Sequence, residues 1–232
     1  MSARLRFVIA AALVGAAAFL AGTRFITPRG EPWRHPLTGR PVAGVATDAR
    51  WMDRAERDAE EQPERALDLI GVAPGLVVAD VGAGSGYMTL RLARRVGPTG
   101  RVYANDIQPR LLGLIEDKAR AAGVSNIVPI VGREDDTLLP ERTIDLALLV
   151  DVYHEFRRPQ TMLQSIRRSL VPGGRLVLIE YREEDPALPI APTHRMSVAK
   201  ARTEVEAEGF TMERAVEDLP RQHILVFRRA VP

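Results

Sequence analysis

The sequence predicts an α/β fold built on a doubly wound, mostly parallel sheet, and three patterns carry that prediction. Mostly aliphatic segments recur along residues 76–181, as expected of strands buried on both faces. Between them, apolar residues return at every fourth position, which is the spacing of a helix face. The end of the chain breaks the alternation: "GFTMERAVEDLPRQHILVFRR" reads as two strands with no helix between, so the last strand runs antiparallel to its predecessor.

The elements follow in order. The chain has 232 residues, 46% hydrophobic and 27% charged, which suits one globular domain with additional sequence attached. Residues 7–22 are uninterrupted apolar or small residues, predicting an N-terminal hydrophobic helix. Such a helix falls short of a hydrocarbon core of about 30 Å unless its flanking arginines snorkel. Its alanines offer cleavage sites of a signal peptide. Arg24, Arg29, Arg34 and Arg40 follow the run while Arg4 and Arg6 precede it, which favours an uncleaved anchor with the domain facing the cytoplasm. Residues 1–22 are therefore read as a signal peptide or membrane anchor, with export after cleavage as the alternative. Residues 23–50 hold Pro28, Pro32, Pro36 and Pro41 with Gly30, Gly39 and Gly44, and read as a tether. The folded domain is placed at 51–232.

Two short helices are expected in "WMDRAERDAEEQPERALDLIGV", the second with Pro63 in its first turn and Gly71 just past its end. Strands are expected at 76–81, 101–106, 126–131, 144–150 and 175–181. Helical faces are marked by Met88, Leu92 and Val96, by Leu111, Ile115 and Ala119, and by Met162, Ile166 and Leu170. Repetition of strand, helix, strand gives right-handed crossovers and a sheet covered on both faces. The absence of cysteine excludes disulfides, thiolate metal sites and cysteine nucleophiles. With a net charge of +2 and arginines scattered in pairs such as Arg94/Arg95 and Arg167/Arg168, no nucleic-acid-binding stripe is present.

The stretch "VADVGAGSGYMTLRLA" joins the first strand to the first long helix, at the carboxyl edge of the sheet where open α/β folds bind ligands. Gly82, Gly84 and Gly86 form G-x-G-x-G, and Tyr87 stands where the dinucleotide fingerprint requires glycine. That substitution disfavours a nicotinamide-dependent oxidoreductase. The turn and the helix start still suit an anion such as a carboxylate, and Asp80 adds an acceptor for a cationic amine. The second strand ends in "VYANDIQP", placing Asp106 where an acidic side chain accepts from ribose hydroxyls. Glu134, Asp135 and Asp136 in "VGREDDTLLP" provide either an acceptor for an adenine amino group or a solvated loop.

Together these segments resemble the class I S-adenosylmethionine-dependent methyltransferases. "VADVGAGSGY" is similar to the family's first motif, "VYANDIQP" to its ribose-binding acidic motif, "IDLALLVDVYHEF" to the end of its fourth strand, and "LVPGGRLVLIEYR" to its entry into the fifth. The resemblance covers roughly residues 60–229; the loop after the third strand is longer than in small-molecule C- and O-methylating members. It implies a Rossmann-like seven-stranded sheet whose reversed last strand lies beside the fifth. It also implies S-adenosylmethionine as cofactor, held by Asp80, Gly82, Ala83, Gly84, Ser85, Gly86, Tyr87, Asp106, Ile107, Glu134, Asp135 and Asp151.

Methyl transfer needs alignment of the nucleophile with the activated methyl group and removal of a proton. Strand four ends at "DVYHEF", strand five at "EYREED", and the reversed strand starts at "RQHILVF", so all three meet at one edge. His154, His194 and His223 are expected to converge there, joined by Glu155, Glu180 and Arg182. His194 lies in a Pro-rich loop long enough to cover the site. The expected roles are His154 as general base, Asp151 and Tyr153 near the methyl donor, and His223 with Glu180 orienting the acceptor. A histidine–carboxylate metal site is the weaker variant, because the ligands come from loops without short helical spacing; no metal is assigned. The expected acceptor is a small or lipid-like molecule, with no nucleic-acid partner and with membrane contact through the N-terminal segment. Alternatives are a tethered cofactor-binding module without turnover and a protein-directed methyltransferase.

Overall fold

The computed structural model describes residues 33–230 of the 232-residue chain. The apolar run at 7–22 lies outside the described residues, and among those described no helix is long and apolar enough to cross a membrane. Three short helices open the domain: α1 (Ala49–Met52), α2 (Arg57–Glu61) and α3 (Pro63–Ile70). Then come β1 (Val77–Val81), α4 (Tyr87–Val96), β2 (Arg101–Asp106), α5 (Pro109–Ala121), β3 (Ile127–Val131) and β4 (Ile144–Val150). A 3-10 turn at Tyr153–Glu155 leads into α6 (Pro159–Ser169) and β5 (Leu170–Arg182). A second 3-10 turn, Pro192–His194, precedes β6 (Arg195–Met196), α7 (Val198–Glu206), β7 (Phe210–Val216) and β8 (Gln222–Arg229).

The main sheet has the order β3-β2-β1-β4-β5-β8-β7. β8 runs antiparallel between β5 and β7, as the helix-free final segment predicts. These seven strands match the expected path. The eighth, the two-residue β6, pairs with the end of β5 and was not anticipated. β5 begins earlier than the expected 175 because Leu170 already pairs with Ile144, across a register shift between Ile144 and Leu146. The Pro-Gly-Gly turn is thus carried within the strand; a side chain at Gly174 would come within 3.0 Å of the Val171 carbonyl oxygen.

Strict alternation along the central strands builds the two cores. Leu176, Leu178, Leu225 and Phe227 face α6 and α7 through Leu163, Ile166, Ala201 and Val205. Val177, Ile179, Ile224 and Val226 face α3 and α4 through Leu67, Ile70, Leu92 and Val96. Each strand is apolar on both faces because each face is covered by helices. α3 starts at Pro63 and ends on Gly71 in the left-handed region, φ 69°, as its boundary residues predict.

The tether expected at 23–50 does not hold from Trp33 onward. Arg34 bridges Pro41 in a small hairpin, and His35 and Arg40 are buried. The Glu204 carboxylate in α7 accepts from Arg40 Nε at 3.0 Å on both oxygens and from the Thr38 hydroxyl. His35 Nε2 lies 3.4 Å from the same carboxylate. Proline and glycine here shape a strap fastened by a buried ion pair, a role the composition alone does not distinguish from a flexible linker. Removing one partner leaves an uncompensated buried charge. Glu204→Gln should therefore lower unfolding stability by about 3–5 kcal/mol in urea denaturation, and an unchanged midpoint would refute this account of the strap.

Candidate active site

The sheet order reverses between β1 and β4, and the loops leaving those strands diverge there, opening the crevice expected at a topological switch point. A cavity of about 610 Å³ occupies it, within the range of about 300–1,000 Å³ usual for ligand pockets. One side is the glycine turn. Gly82, Gly84 and Gly86 all have positive φ. A β-carbon at Gly82 would come within 2.5 Å of Val152, so only glycine lets the turn approach the β4 loop this closely. The amides of Gly82 and Ala83 both donate to the Asn105 carbonyl, and Ser85 Oγ donates to Asp53 at 2.8 Å.

Asp106 lies at the cavity, accepting from the amides of Gly84 and Gln108, each at 2.9 Å. Burial raises its carboxyl above the ordinary range, against these two bonds. Asp80 also lines the cavity. Burial pushes its carboxyl up to about 6, while the Thr89 hydroxyl, donating at 2.5 Å, and the nearby Arg57 oppose the rise and Asp106 adds to it. Tyr87 lies between the guanidinium groups of Arg57 and Arg91, 3.9 and 4.2 Å from its ring centre. Ile107 and Glu134 complete this end, whereas Asp135 pairs with Arg158 outside the cavity. The expected role of Asp135 is therefore corrected: the loop turns it toward α6. Asp136 likewise bonds to Ser165.

The opposite end is formed by the β4 loop and the loop after β5. Asp151 lines the cavity in the left-handed region, φ 55°, with Oδ2 accepting from Gln222 at 2.8 Å. Its buried Oδ1 has no hydrogen-bond partner. Burial, with Glu61 and Glu180 nearby, raises the Asp151 carboxyl well above the ordinary range despite Arg57. His154 and Glu155 face the same space from the 3-10 turn. Glu180 is fully buried: Oε1 accepts from the amides of Val152 and Tyr153, and Oε2 lies 2.5 Å from His154 Nδ1. His154 Nε2 in turn lies 2.9 Å from His194 Nδ1. Burial, and secondarily His154, lower the His194 imidazole to about 3. Burial raises Glu155 well above the ordinary range.

The loop carrying His194 is shaped by Arg195, whose guanidinium donates to the carbonyls of Asp185, Leu188 and Ile190. His154, His194, Glu155 and Asp151 are thus brought together, but four expected participants are not at the cavity. His223 is buried opposite Glu180 on the neighbouring strand and reaches toward Glu217 at 3.6 Å. Tyr153 turns into the core beneath Arg40. Glu180 orients His154 from behind and does not line the cavity. In each case strand alternation or the 3-10 turn points the side chain away. Arg182 instead donates to the carbonyls of Leu219 and Gln222. Residues not foreseen also line the site, including Arg54, Arg57, Glu61 and Tyr181. Arg57 Nε donates to Glu61 at 2.7 Å and Tyr181 donates to the same carboxylate at 2.9 Å. The sequence offered only an i,i+4 Arg–Glu pair, a pattern also common on solvated helices.

Fold, glycine turn and acidic strand end define a class I S-adenosylmethionine-dependent methyltransferase domain, and residues 78–174 match the model of a methyltransferase domain family. The chain is similar to a solved S-adenosylmethionine-dependent methyltransferase from Aquifex aeolicus, with a TM-score of 0.74 and 25% identity over 78% of this chain and 97% of that one. Among curated proteins it is 32% identical over 117 residues to the ubiquinone/menaquinone biosynthesis C-methyltransferase UbiE of Hydrogenovibrio crunogenus, covering 50% of this chain and 46% of that protein. It is 34% identical over 116 residues to the UbiE of an Enterobacter species, covering 50% and 46%. The chain thus spans about half the length of the curated relatives it matches.

The residues present fit the cofactor. Asp106 would suit the ribose hydroxyls and Asp80 the amine of its methionine part, and both line the cavity beside the glycine turn. Asp106→Ala should weaken the rise in thermal midpoint given by S-adenosylmethionine, by the equivalent of about 1.5–3 kcal/mol; an equal response to NAD would contradict the assignment. Cofactor affinity should also fall as pH drops through about 6, since a protonated Asp80 no longer balances the amine. Calorimetric titration across that range should show the fall in the native protein and a weaker, flatter profile in Asp80→Asn.

Proposed function

We propose that the chain transfers the methyl group of S-adenosylmethionine to a small lipophilic acceptor carrying an ionisable hydroxyl, and that the acceptor's proton is removed at His154. The observation that carries this reading is the continuity of one cavity from the glycine turn to a histidine held from behind by a buried carboxylate. Between these ends the walls include Val42, Val45, Phe156, Met162 and Ile190, which favour an apolar or aromatic body over a charged one.

The cofactor supplies an activated methyl group on a sulfonium. This chain's residues do the remaining work of binding, alignment and proton removal. Glu180 fixes the imidazole so that Nδ1 faces the carboxylate and Nε2 meets His194 Nδ1 at the cavity wall. As the methyl carbon bonds to the acceptor, the carbon–sulfur bond breaks with its electron pair left on sulfur, and the acceptor hydroxyl loses its proton at this wall. The names of the relatives, which place them in quinone biosynthesis, support a hydroxylated ring as the acceptor. An anchor at residues 7–22, with the domain on the cytoplasmic side, would hold such a cavity beside a lipid-soluble substrate.

His154→Ala should lower turnover by about 10²–10⁴-fold with cofactor affinity nearly unchanged, measured as S-adenosylhomocysteine release with a panel of phenolic and quinol acceptors. Loss of cofactor binding instead would make the residue structural. Protease digestion of intact cells should leave residues 47–232 protected, and cleavage from outside would refute the cytoplasmic placement.

A further inference from the structure

We propose that His154, His194 and Glu155 form a site for a divalent transition-metal ion at the acceptor end of the cavity. The inference rests on the reading of this end as the acceptor site, and concerns how the acceptor's proton is removed there.

Three features of the geometry carry it. Donor atoms of the three side chains lie within 4.8 Å of one another, on two segments that meet only in the folded chain. His154 Nε2 and His194 Nδ1 are 2.9 Å apart; at metal–nitrogen distances of about 2.1 Å, such a pair subtends about 90° at an ion. That is the angle between neighbouring ligands of an octahedron, whereas a tetrahedral ion would require the rings to separate. The Glu155 carboxylate, with a donor oxygen within 4.8 Å of both nitrogens, would have to close in to complete one face of an octahedron; the other positions would stay open to exogenous ligands, an arrangement suited to Fe²⁺, Co²⁺ and similar ions.

The third feature lies behind the ligands. His154 Nδ1 faces the Glu180 carboxylate, which is itself fixed by two backbone amides. A carboxylate behind a histidine is the arrangement that fixes the tautomer of a metal-ligating imidazole and raises its basicity. Glu155 is positioned by the Ala46 amide of the strap, which donates to Oε1 at 3.1 Å, and its second oxygen completes the carboxylate's capacity as a ligand. His154 and Glu155 are thus aimed by separate parts of the fold.

An ion held here faces the same apolar walls as the acceptor. With His154 Nε2 taken up as a ligand, the metal-loaded protein would not use the imidazole itself as the base: an acceptor hydroxyl entering an open coordination position would release its proton to solvent in its place, because the ion stabilises the resulting oxyanion. The oxygen's electron pair, directly or through the ring to which it is attached, would then form the bond to the methyl carbon as the carbon–sulfur pair remains on sulfur. Charge and atoms balance with no redox partner, and the ion is unchanged.

The test uses the full chain without a histidine tag, freed of metal by a chelator and titrated with Co²⁺ in the absence of acceptor, followed by calorimetry and visible absorption. Saturable binding of one ion per chain with the weak bands of six-coordinate Co²⁺ is expected. His194→Ala and Glu155→Gln should each weaken it at least tenfold, and Glu180→Gln by about 10–100-fold, with S-adenosylmethionine binding unchanged in His194→Ala. No saturable binding, or undiminished binding in His194→Ala, would overturn the site. Chelated protein should lose transfer and regain it with Co²⁺. Full activity after chelation would overturn the catalytic role of the ion while leaving the methyltransferase reading intact, and failure of S-adenosylmethionine to bind would instead remove that reading itself.

Discussion

The site depends on one buried carboxylate. Glu180 sits on β5 with no exposure, and an isolated charge there would be strongly unfavourable. It is compensated by the amides of Val152 and Tyr153 and by the His154 ring, so the strand-five residue dictates the course of the loop leaving strand four. This single set of bonds turns the backbone after Asp151, directs Tyr153 into the core and brings His154 to the cavity. The neighbouring strand repeats the constraint at Asp151, whose left-handed backbone is held by its amide bond to the Ile179 carbonyl and by Gln222. A non-glycine residue in that region stores about 1–3 kcal/mol of strain, which the surrounding bonds must exceed.

Around this centre the chain closes the cavity from both ends of its own sequence. The strap at 33–47 is pinned to α7 through Arg40 and Glu204 and to the histidine turn through bonds from the Ala43 amide to the His154 carbonyl and from the Ala46 amide to Glu155. The loop after β5 is gathered by Arg195 and brings His194 against His154. Both closures are set by fixed hydrogen-bond geometry, and the first buries the charges of Arg40 and Glu204. Buried ion pairs of this kind add little net stability relative to apolar packing, but they tolerate few alternative arrangements.

The opposite wall follows similar logic. Glu61 accepts from Arg54, Arg57 and Tyr181, joining the opening helices to the end of β5. With Asp151 and Asp80 near Arg57, this forms a region of alternating charge beside the glycine turn. Fixed before any ligand arrives, these charges would offer a zwitterion partners of both signs, the preorganisation that limits the entropic cost of binding.

By itself the sequence determined the parts governed by local chemistry and periodicity. The central strands, the glycine turn, Asp106 at the end of β2, and the reversed final strand were legible because a strand covered on both faces must be apolar throughout and because glycine spacing reports backbone geometry directly. The edge where His154 and His194 meet was also legible, since strand order fixes which loops share an edge. Side-chain direction was not. His223 and Tyr153 lie in the right segments but point into the core, and Asp135 turns outward, because one residue of alternation or one turn of 3-10 helix reverses a side chain. The strap was read as a tether for the same reason: its proline and glycine content describes local conformation, while its role comes from Arg40 meeting Glu204, more than 160 positions away in sequence. Arg57 and Glu61 appeared as an ordinary helix pair, and only packing against Tyr181 and the glycine turn made them part of the site. Contacts between segments so distant along the chain carry no local signature, so tertiary structure alone decided which charged residues are buried together and which face the cavity.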